Sequence, residues 1–298
     1  MPNLTPQPQS AAPLIPPASQ PLPFQVRGLS GIMGAEVLGL DLAQPIDDAT
    51  RDAIYDAFLT HQALVFRKQN LSKAQQVEFT KRFGPLEAHI DSNRGADIPE
   101  VHIVSNLGSD GKPSGKMGAT AWHTDKSYRT APSLATLLHA IHTPPAGGET
   151  CFANMYAAYE ALPAARQAEL AELRVVHSWE LSRIKAGGSL ATEAEIRSAP
   201  PVSHPLVRTH PDTGRKCLYM GEHACYIEGR PMEEGQALLQ ELEAYATQPR
   251  FVFQHQWQDG DLLMWDNRCL LHRAASNFDV GRIPRVLHRT CLRGAPTF

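Results

Sequence analysis

The sequence predicts a mostly β protein, a sheet sandwich or barrel decorated by α-helices. Strand-like apolar segments lie around the middle of the chain and in its last third, while apolar residues at helical spacing fill several segments before and between them. Of the 298 residues, 42% are hydrophobic and 20% are charged. A chain of this length and composition buries a sizeable core as one large domain or two small ones.

The first 23 residues form a separate compositional unit. They carry eight prolines and no charged side chain, so they cannot form a helix or a central strand and are expected to be extended or disordered. A disordered leader or a strap between subunits is one interpretation, and a docking arm for a partner is another. We expect residues 24–298 to form a single domain.

The first half of that domain alternates strands and helices. From Phe24 the chain has short strand patterns joined by glycine turns. Asp47 and Asp48 then precede ATRDAIYDAFLTH, which predicts a capped helix. The run ALVFR is short and apolar, as in a buried strand, and SKAQQVEFTKRF (72–83) predicts a second helix.

The second half is richer in strands. Residues 133–141 predict a core strand that ends at the turn PPAGGET, and 156–173 predict a helix despite Pro163. Residues 178–204 are polar and irregular, which is typical of a functional loop such as a lid. A helix is expected over 232–246, followed by the strand-like segments FVFQHQW, DLLMWDN and RVLHRTCL.

Charge and cysteine usage exclude several classes of protein. The formal net charge of −3 gives no basic excess that would attract nucleic acid or an anionic membrane. The five cysteines contain no C-x-x-C pair, so neither a disulfide framework nor a cysteine zinc site is indicated. With no secretory leader and no long apolar run in the sequence, we expect a soluble, cytoplasmic protein.

Three side chains of metal-ligand type are candidates for one site. His123 and Asp125 are two residues apart in GATAWHTDKSY, so on an extended strand they share a face. A third ligand must come from a distant strand, and His272 lies in an apolar run near the C-terminus. Two histidines and a carboxylate suit Fe(II) and leave coordination positions open. A chance H-x-D pattern, or a zinc hydrolase built on the same residues, remains the alternative.

Polar residues near these candidates suggest that anions bind. Thr150 follows the Gly147-Gly148 turn, and Arg285 and Arg289 share one face if their segment is a strand. Arginine recognises carboxylates with two parallel hydrogen bonds and keeps its charge when buried. Two inward arginines would imply two anions, whereas a surface strand with salt bridges is the alternative interpretation.

Several motifs together indicate a family. W-H-T-D (122–125), G-G-E-T (147–150), W-D-N-R (265–268) followed by His272, and the late R-x-x-x-R closely resemble the taurine and 2,4-dichlorophenoxyacetate dioxygenase family of Fe(II)/2-oxoglutarate enzymes. The resemblance runs from about residue 26 to residue 293, and the phenoxyacetate branch is nearer than the taurine branch.

The resemblance implies a double-stranded β-helix, the cupin-like jelly-roll, with a metal site at one open end. The positions that match the family's Fe(II) ligands are His123, Asp125 and His272. Thr150 and Arg285 match the pair that binds the far carboxylate of 2-oxoglutarate.

The substrate side is matched by fewer residues. Arg289 and His89 match residues that contact the substrate's anionic group in the taurine enzymes. Because the segment before Arg285 is two residues longer than in those enzymes, Arg282 is a rival for the co-substrate role. His177, at the start of the expected lid, is a further candidate substrate contact.

The implied activity is hydroxylation of a C–H bond in a small organic anion by O2, with 2-oxoglutarate converted to succinate and CO2. Aryloxyalkanoates, sulfonates and sulfate esters would then be cleaved, because their hydroxylated intermediates are unstable. A hydroxylase that yields a stable alcohol from an amino acid, a phosphonate or a secondary metabolite is the alternative, followed by a non-catalytic jelly-roll metal protein. The family resemblance also suggests a homo-oligomer, either a dimer or a tetramer.

Overall fold

The computed structural model describes residues 23–87, 97–185, 187–188 and 190–297. The predicted tail, up to residue 22, and His89 lie outside the described residues. Within the described ranges the strands are, in chain order, β1 Gln25–Gly28, β2 Ala35–Leu38, β3 Ala63–Phe66, β4 His102–Ser105, β5 Ala135–His142, β6 Thr150–Asn154, β7 Arg174–His177, β8 Val202–Pro205, β9 Val207–Thr209, β10 Lys216–Leu218, β11 Ala224–Ile227, β12 Val252–His255, β13 Leu262–Asp266, β14 Leu270–Ala274 and β15 Val286–Leu292.

The helices surround these strands. They are α1 Asp48–His61, α2 Lys73–Lys81, α3 Met155–Glu160, α4 Ala164–Ala171, α5 Trp179–Lys185, α6 Glu193–Ser198 and α7 Met232–Ala246, with a short 3-10 turn at Pro249–Phe251. The predicted helix starts are confirmed where a cap was visible in the sequence. Asp47 accepts from the amide of Thr50 at the start of α1, and Ser72 forms a capping box with Gln75 at the start of α2.

Two sheets carry the architecture. The large sheet has the strand order β1-β2-β3-β13-β5-β15-β4, and a smaller sheet has the order β12-β6-β14. Almost all pairings are antiparallel, but β2 and β3 run parallel. Leu263 and Trp265 of the large sheet share one hydrophobic cluster with Phe152 and Leu271 of the small sheet. The two sheets therefore face each other across a common core, as the jelly-roll requires.

The other face of the large sheet is also buried. Leu262 and Met264 alternate with the residues that face the small sheet, and they pack with Ile54 and Phe58 of α1. This is why the run LLMW (262–265) is continuously apolar rather than alternating: the strand is covered on both faces. In the described part of the chain, no helix combines the length and the apolar character needed to span a membrane.

The sequence predictions for 156–173 and for 178–204 are wrong. The helix expected over 156–173 is two helices, because Pro163 lies at the N-cap of α4 and separates it from α3. The irregular loop expected over 178–204 contains α5, α6 and most of β8. Helix α6 begins with a capping box between Thr192 and Glu195, a local signal that the high polarity of the segment obscured.

Candidate metal centre and its pocket

Three buried side chains bring metal-ligand atoms together at one end of the sheets. The ligand atoms of His123, Asp125 and His272 all lie within 4.8 Å of one another. Nε2 of His123 is 4.0 Å from Oδ1 of Asp125, and Nε2 of His272 is 3.8 Å from Oδ2 of the same carboxylate. The structure thus brings the three predicted ligands into one cluster.

The backbone holds this cluster by a different device from the expected strand. His123 and His272 form an isolated antiparallel bridge, with amide-to-carbonyl hydrogen bonds of 3.0 and 2.8 Å. Asp125 lies in a turn, and Lys126 after it has a φ of 54°. The prediction of one extended strand through His123 and Asp125 is therefore wrong, although both side chains still converge.

Hydrogen bonding and burial set the chemical state of the two imidazoles. Nδ1 of His123 lies 2.9 Å from the carbonyl oxygen of Ala121, so Nδ1 carries the proton and Nε2 offers a lone pair. Burial, together with the nearby His123, holds the pKa of His272 well below its usual range. His272 is therefore neutral at physiological pH, which is the form that binds a metal.

The carboxylate of Asp125 is held in its ionised form. Burial alone would raise its pKa, but Arg289 and the two histidines outweigh burial and hold the pKa below the ordinary range. Arg289 Nη1 lies 3.3 Å from Oδ1, and the hydroxyl of Thr136 donates to Oδ2 at 2.5 Å. Asn267 in turn donates to Thr136 at 2.9 Å, so a buried polar chain orients the carboxylate.

These residues fit Fe(II), the metal that the family resemblance implies. Two imidazole nitrogens and one carboxylate oxygen are the facial set that non-heme Fe(II) oxygenases use. A second cluster, His210, Asp266 and Cys269, has similar spacing, but it lacks free ligand capacity. Asp266 accepts from His210 at 3.0 Å, and Arg268 donates to both of its oxygens.

A buried arginine lines the same pocket as the cluster. Arg285 is 4% exposed, its Nε donates to the carbonyl of Gly148 at 3.0 Å, and its Nη2 lies 3.5 Å from Oγ1 of Thr150. Burial lowers the pKa of Arg285 to about 10 although the charge of Glu149 opposes the shift, and among the described residues no carboxylate lies within ion-pair distance of it. A buried guanidinium without a carboxylate partner is costly unless an anion binds there.

The rival arginine does not reach the pocket. The side chain of Arg282 is 88% exposed and lies 3.8 Å from Asp279. Arg289 does line the same pocket as Arg285 and the two cluster histidines. The structure therefore brings Arg285 and Arg289 together around the cluster and leaves Arg282 outside.

The candidate contact His177 is also outside the pocket. Its side chain is fully buried, stacks on Tyr219 at 5.6 Å and meets the edge of His204 at 5.1 Å. The expectation that His177 touches substrate is wrong, since its side chain is fully buried and is not among the residues that line the pocket.

Several residues of the site were missed by the sequence analysis. The indole N–H of Trp257 donates a hydrogen bond to the hydroxyl of Thr150 at 3.0 Å, and Oδ1 of Asn106 accepts one from the backbone amide of Arg285 at 2.8 Å. Neither lies beside a site residue in the sequence. Trp265 and Asn267 are part of the W-D-N-R motif, which is the local signal that could have indicated their roles. The pocket is lined by Val104, Ser105, Asn106, Met117, Gly118, Ala119, His123, Leu138, Thr150, Trp265, His272, Arg273, Ala274, Arg285 and Arg289.

A jelly-roll with this donor set and a buried arginine beside it defines a class, the Fe(II)- and 2-oxoglutarate-dependent dioxygenases. Comparison with known families agrees. Residues 21–291 match the model of the taurine catabolism dioxygenase TauD, TfdA family, and the chain belongs to that family.

Named relatives and solved structures narrow the resemblance. The chain is 40% identical over 279 residues to the alpha-ketoglutarate-dependent 2,4-dichlorophenoxyacetate dioxygenase of Cupriavidus pinatubonensis, covering 90% of this chain and 97% of that protein. It is 32% identical over 286 residues to an alkylsulfatase of Acinetobacter baylyi, covering 92% and 86%. The crystal structure of AAD-2 in complex with Mn(II) and N-oxalylglycine superposes with a TM-score of 0.84 at 37% identity, covering 92% of this chain and 98% of that one.

Proposed function

We propose that this enzyme oxidises a small organic anion of the aryloxyalkanoate, sulfonate or sulfate-ester type. The observation that carries the proposal is the pair of arginines around one cluster: Arg285 is buried with no carboxylate of the described residues within ion-pair distance, and Arg289 lies beside Asp125. In this proposal Arg285 binds the co-substrate and Arg289 binds the substrate. An aryloxyalkanoate is favoured within this class because the 2,4-dichlorophenoxyacetate dioxygenase is among the relatives at 40% identity.

Each side chain has a role in this proposal. His123, Asp125 and His272 are the Fe(II) ligands, with the carboxylate oriented by Thr136. Fe(II) with 2-oxoglutarate and O2 supplies the power to hydroxylate a C–H bond, and 2-oxoglutarate becomes succinate and CO2.

The two ends of the pocket bind different anions. Arg285 and the hydroxyl of Thr150 bind the far carboxylate of 2-oxoglutarate. Arg289 binds the anionic group of the substrate and thereby places a neighbouring carbon at the metal. His89, which lies outside the described residues, is proposed to assist Arg289.

The fate of the product follows from the carbon attacked. A hydroxyl placed on a carbon that bears an ether oxygen gives a hemiacetal, which collapses to a phenol and an oxo acid. On a carbon that bears a sulfate ester it gives an aldehyde and hydrogen sulfate. The apolar side chains Val104, Met117 and Leu138 line the pocket and provide a surface for an aryl or alkyl group.

The test is a substrate panel with product balance. The purified protein, Fe(II) and 2-oxoglutarate are incubated in air with aryloxyacetates, both enantiomers of aryloxypropionates, alkyl sulfates and alkyl sulfonates. Succinate is measured against released phenol, sulfate or sulfite, and the amide of the best substrate is the uncharged control. Equal amounts of succinate and leaving group, lost with the amide, support the proposal. Succinate formed together with a stable alcohol supports the alternative hydroxylase, and no succinate with any compound contradicts both.

We further propose a cytoplasmic homo-oligomer. The five cysteines are all unpaired, which suits a reducing compartment. Leu181 and Ile184 of α5 and Met232 of α7 are exposed apolar side chains around one groove, which suits contact with a second copy. Light scattering after size exclusion, with Ile184→Glu as the test variant, measures the mass. A monomeric wild type contradicts this proposal.

A further inference from the structure

The side-chain amide of Asn106 forms all its hydrogen bonds with the backbone of one distant segment, residues 280–285. The residue follows β4, is 3% exposed and lines the pocket. Its Nδ2 donates to the carbonyl oxygens of Val280 at 2.9 Å and Ile283 at 2.8 Å, and its Oδ1 accepts from the amide of Arg285 at 2.8 Å. A carboxamide has two donor hydrogens and one acceptor oxygen, so its donors are used and its oxygen is engaged. Asn106 is therefore occupied by the protein rather than by a ligand.

The backbone of Asn106 also forms hydrogen bonds with the segment that contains Arg285. Its amide donates to the carbonyl of Arg285 at 3.3 Å, and its carbonyl accepts from both the amide and the hydroxyl of Ser114, at 2.8 and 2.9 Å. Asn106 thus connects three parts of the chain: the end of β4, the loop that returns at Ser114, and the segment 280–285 that leads into β15.

Within the described residues, the backbone of the segment 280–285 makes few hydrogen bonds other than those to Asn106. It is a turn in which the amides of Arg282 and Ile283 donate to the carbonyl of Asp279, and most of its residues are exposed or half-exposed. Arg285 itself holds a buried charge whose hydrogen-bond partners among the described residues are the carbonyl of Gly148 and the hydroxyl of Thr150, with no carboxylate within ion-pair distance. The position of its guanidinium therefore depends on how firmly this turn is held.

We propose that Asn106 is a positioning residue for co-substrate binding: by fixing the backbone at 280, 283 and 285, it holds the Arg285 guanidinium at the distance from Thr150 that a dicarboxylate requires. This inference rests on the proposed role of Arg285. It assigns Asn106 no contact with the metal, the co-substrate or the substrate.

The test uses two variants and one matched control. Asn106→Ala removes all three side-chain hydrogen bonds. Asn106→Asp keeps the shape and the acceptor, but it loses both donors and turns a carboxylate oxygen towards the two carbonyl oxygens, so it too should loosen the segment 280–285. Asn154→Ala is the control, because Asn154 is equally buried at 3% and its carboxamide also bonds backbone groups, the carbonyl of Ile32 and the amide of Ala157, away from the pocket.

Binding of N-oxalylglycine to the Mn(II)-loaded protein is measured by calorimetry, alongside Mn(II) affinity and the unfolding temperature. We expect both Asn106 variants to bind N-oxalylglycine about tenfold more weakly, with Mn(II) affinity unchanged, and Asn154→Ala to bind it as the wild type does. In turnover, the KM for 2-oxoglutarate should rise about tenfold while kcat at saturation changes less than threefold.

Each other outcome has one meaning. If the Asn106 variants bind N-oxalylglycine as tightly as the wild type, the inference is wrong and the proposed function is untouched. If Asn154→Ala loses affinity as much as Asn106→Ala at a similar fall in unfolding temperature, the effect is general destabilisation and the inference is also wrong. If the wild type itself does not bind N-oxalylglycine, it is the proposed function that fails.

Discussion

The indole Nε1–H of Trp257 donates a hydrogen bond to Oγ1 of Thr150 at 3.0 Å. The Nη2 of Arg285 points to the same oxygen at 3.5 Å. With both neighbours acting as donors, the lone pairs of the hydroxyl are engaged and its own hydrogen is directed elsewhere. Thr150 lines the pocket, and in the proposed function this hydrogen is donated to the co-substrate carboxylate. Trp257, whose hydrogen bond to Thr150 is the shorter of the two, and Arg285 together determine the orientation of this hydroxyl.

Trp257→Phe tests this relationship because it keeps an aromatic ring and removes the N–H. A typical hydrogen bond contributes about 1 kcal/mol, so the affinity for 2-oxoglutarate should fall about fivefold with little change in metal binding. The KM for 2-oxoglutarate and the Kd for N-oxalylglycine measure this change. Trp179→Phe, in α5 and not among the pocket residues, is the matched control and should leave both constants unchanged. Equal affinity in the wild type and Trp257→Phe would show that Thr150 needs no orienting donor.

The two pocket arginines should separate co-substrate from substrate. Arg285→Ala should raise the KM for 2-oxoglutarate by about a hundredfold, because a charge-assisted hydrogen bond contributes about 1.5–3 kcal/mol, while affecting the substrate far less. Arg289→Ala should show the reverse pattern. The exposed Arg282→Ala is the control and should behave as the wild type. If Arg282→Ala weakens 2-oxoglutarate and Arg285→Ala does not, the two residues have been assigned the wrong way round.

Removal of one proposed ligand should remove the metal and leave the fold. His123→Ala deletes one of the two imidazole nitrogens, so Fe(II) binding should weaken strongly and Fe(II)-dependent succinate formation should be lost. Calorimetry with Fe(II) under argon and far-UV circular dichroism measure metal affinity and folding. His142→Ala, at an exposed histidine, is the control. Turnover at the wild-type rate by His123→Ala would exclude His123 as a ligand.

Acid stability should depend on buried histidines. Burial lowers the pKa of His177 well below its ordinary value, with His204 adding to the effect, and burial lowers that of His223 to about 4. Below about pH 6.5 these histidines are protonated in the unfolded chain but stay neutral in the folded chain. The free energy of unfolding therefore falls as the pH drops towards 4. The stability contributed by these neutral histidines is fully present above pH 6.5.

His177→Phe keeps the ring against Tyr219 and cannot be protonated. Its loss of stability between pH 7 and pH 5 should be smaller than that of the wild type, by at most about 1.4 kcal/mol for each pH unit. Urea unfolding at a series of pH values measures the slope, and His142→Phe is the exposed control. Parallel slopes for the wild type and His177→Phe would contradict the assignment.

The elements and the cluster could be predicted because their signals are local or motif-like. Helix α7 has the predicted bounds of 232–246, since its apolar residues recur at helical spacing over four turns. His123, Asp125 and His272 were candidates because ligand chemistry restricts the residue types, and the family motifs around them matched them to Fe(II) ligands. The His123–His272 bridge that joins them spans 149 positions, a pairing that local patterns do not encode.

The residues that orient the site could not be predicted for the same reason. Asn106 bonds to Arg285 across 179 positions, and Trp257 bonds to Thr150 across 107. A buried asparagine or tryptophan has no distinctive neighbours in the sequence, because its partner is determined by sheet pairing. The failed prediction for 178–204 had another cause: short polar helices lack the apolar periodicity that identifies longer ones.

The most direct test of the account is an anaerobic titration. Fe(II) is added to the metal-free protein under argon, 2-oxoglutarate follows, and the visible spectrum is recorded for the wild type, His123→Ala and Arg285→Ala. We predict a weak visible charge-transfer band that saturates with 2-oxoglutarate in the wild type, is absent in His123→Ala, and needs much more 2-oxoglutarate in Arg285→Ala. A folded wild-type protein that binds Fe(II) but shows no such band at any concentration of 2-oxoglutarate would contradict the account.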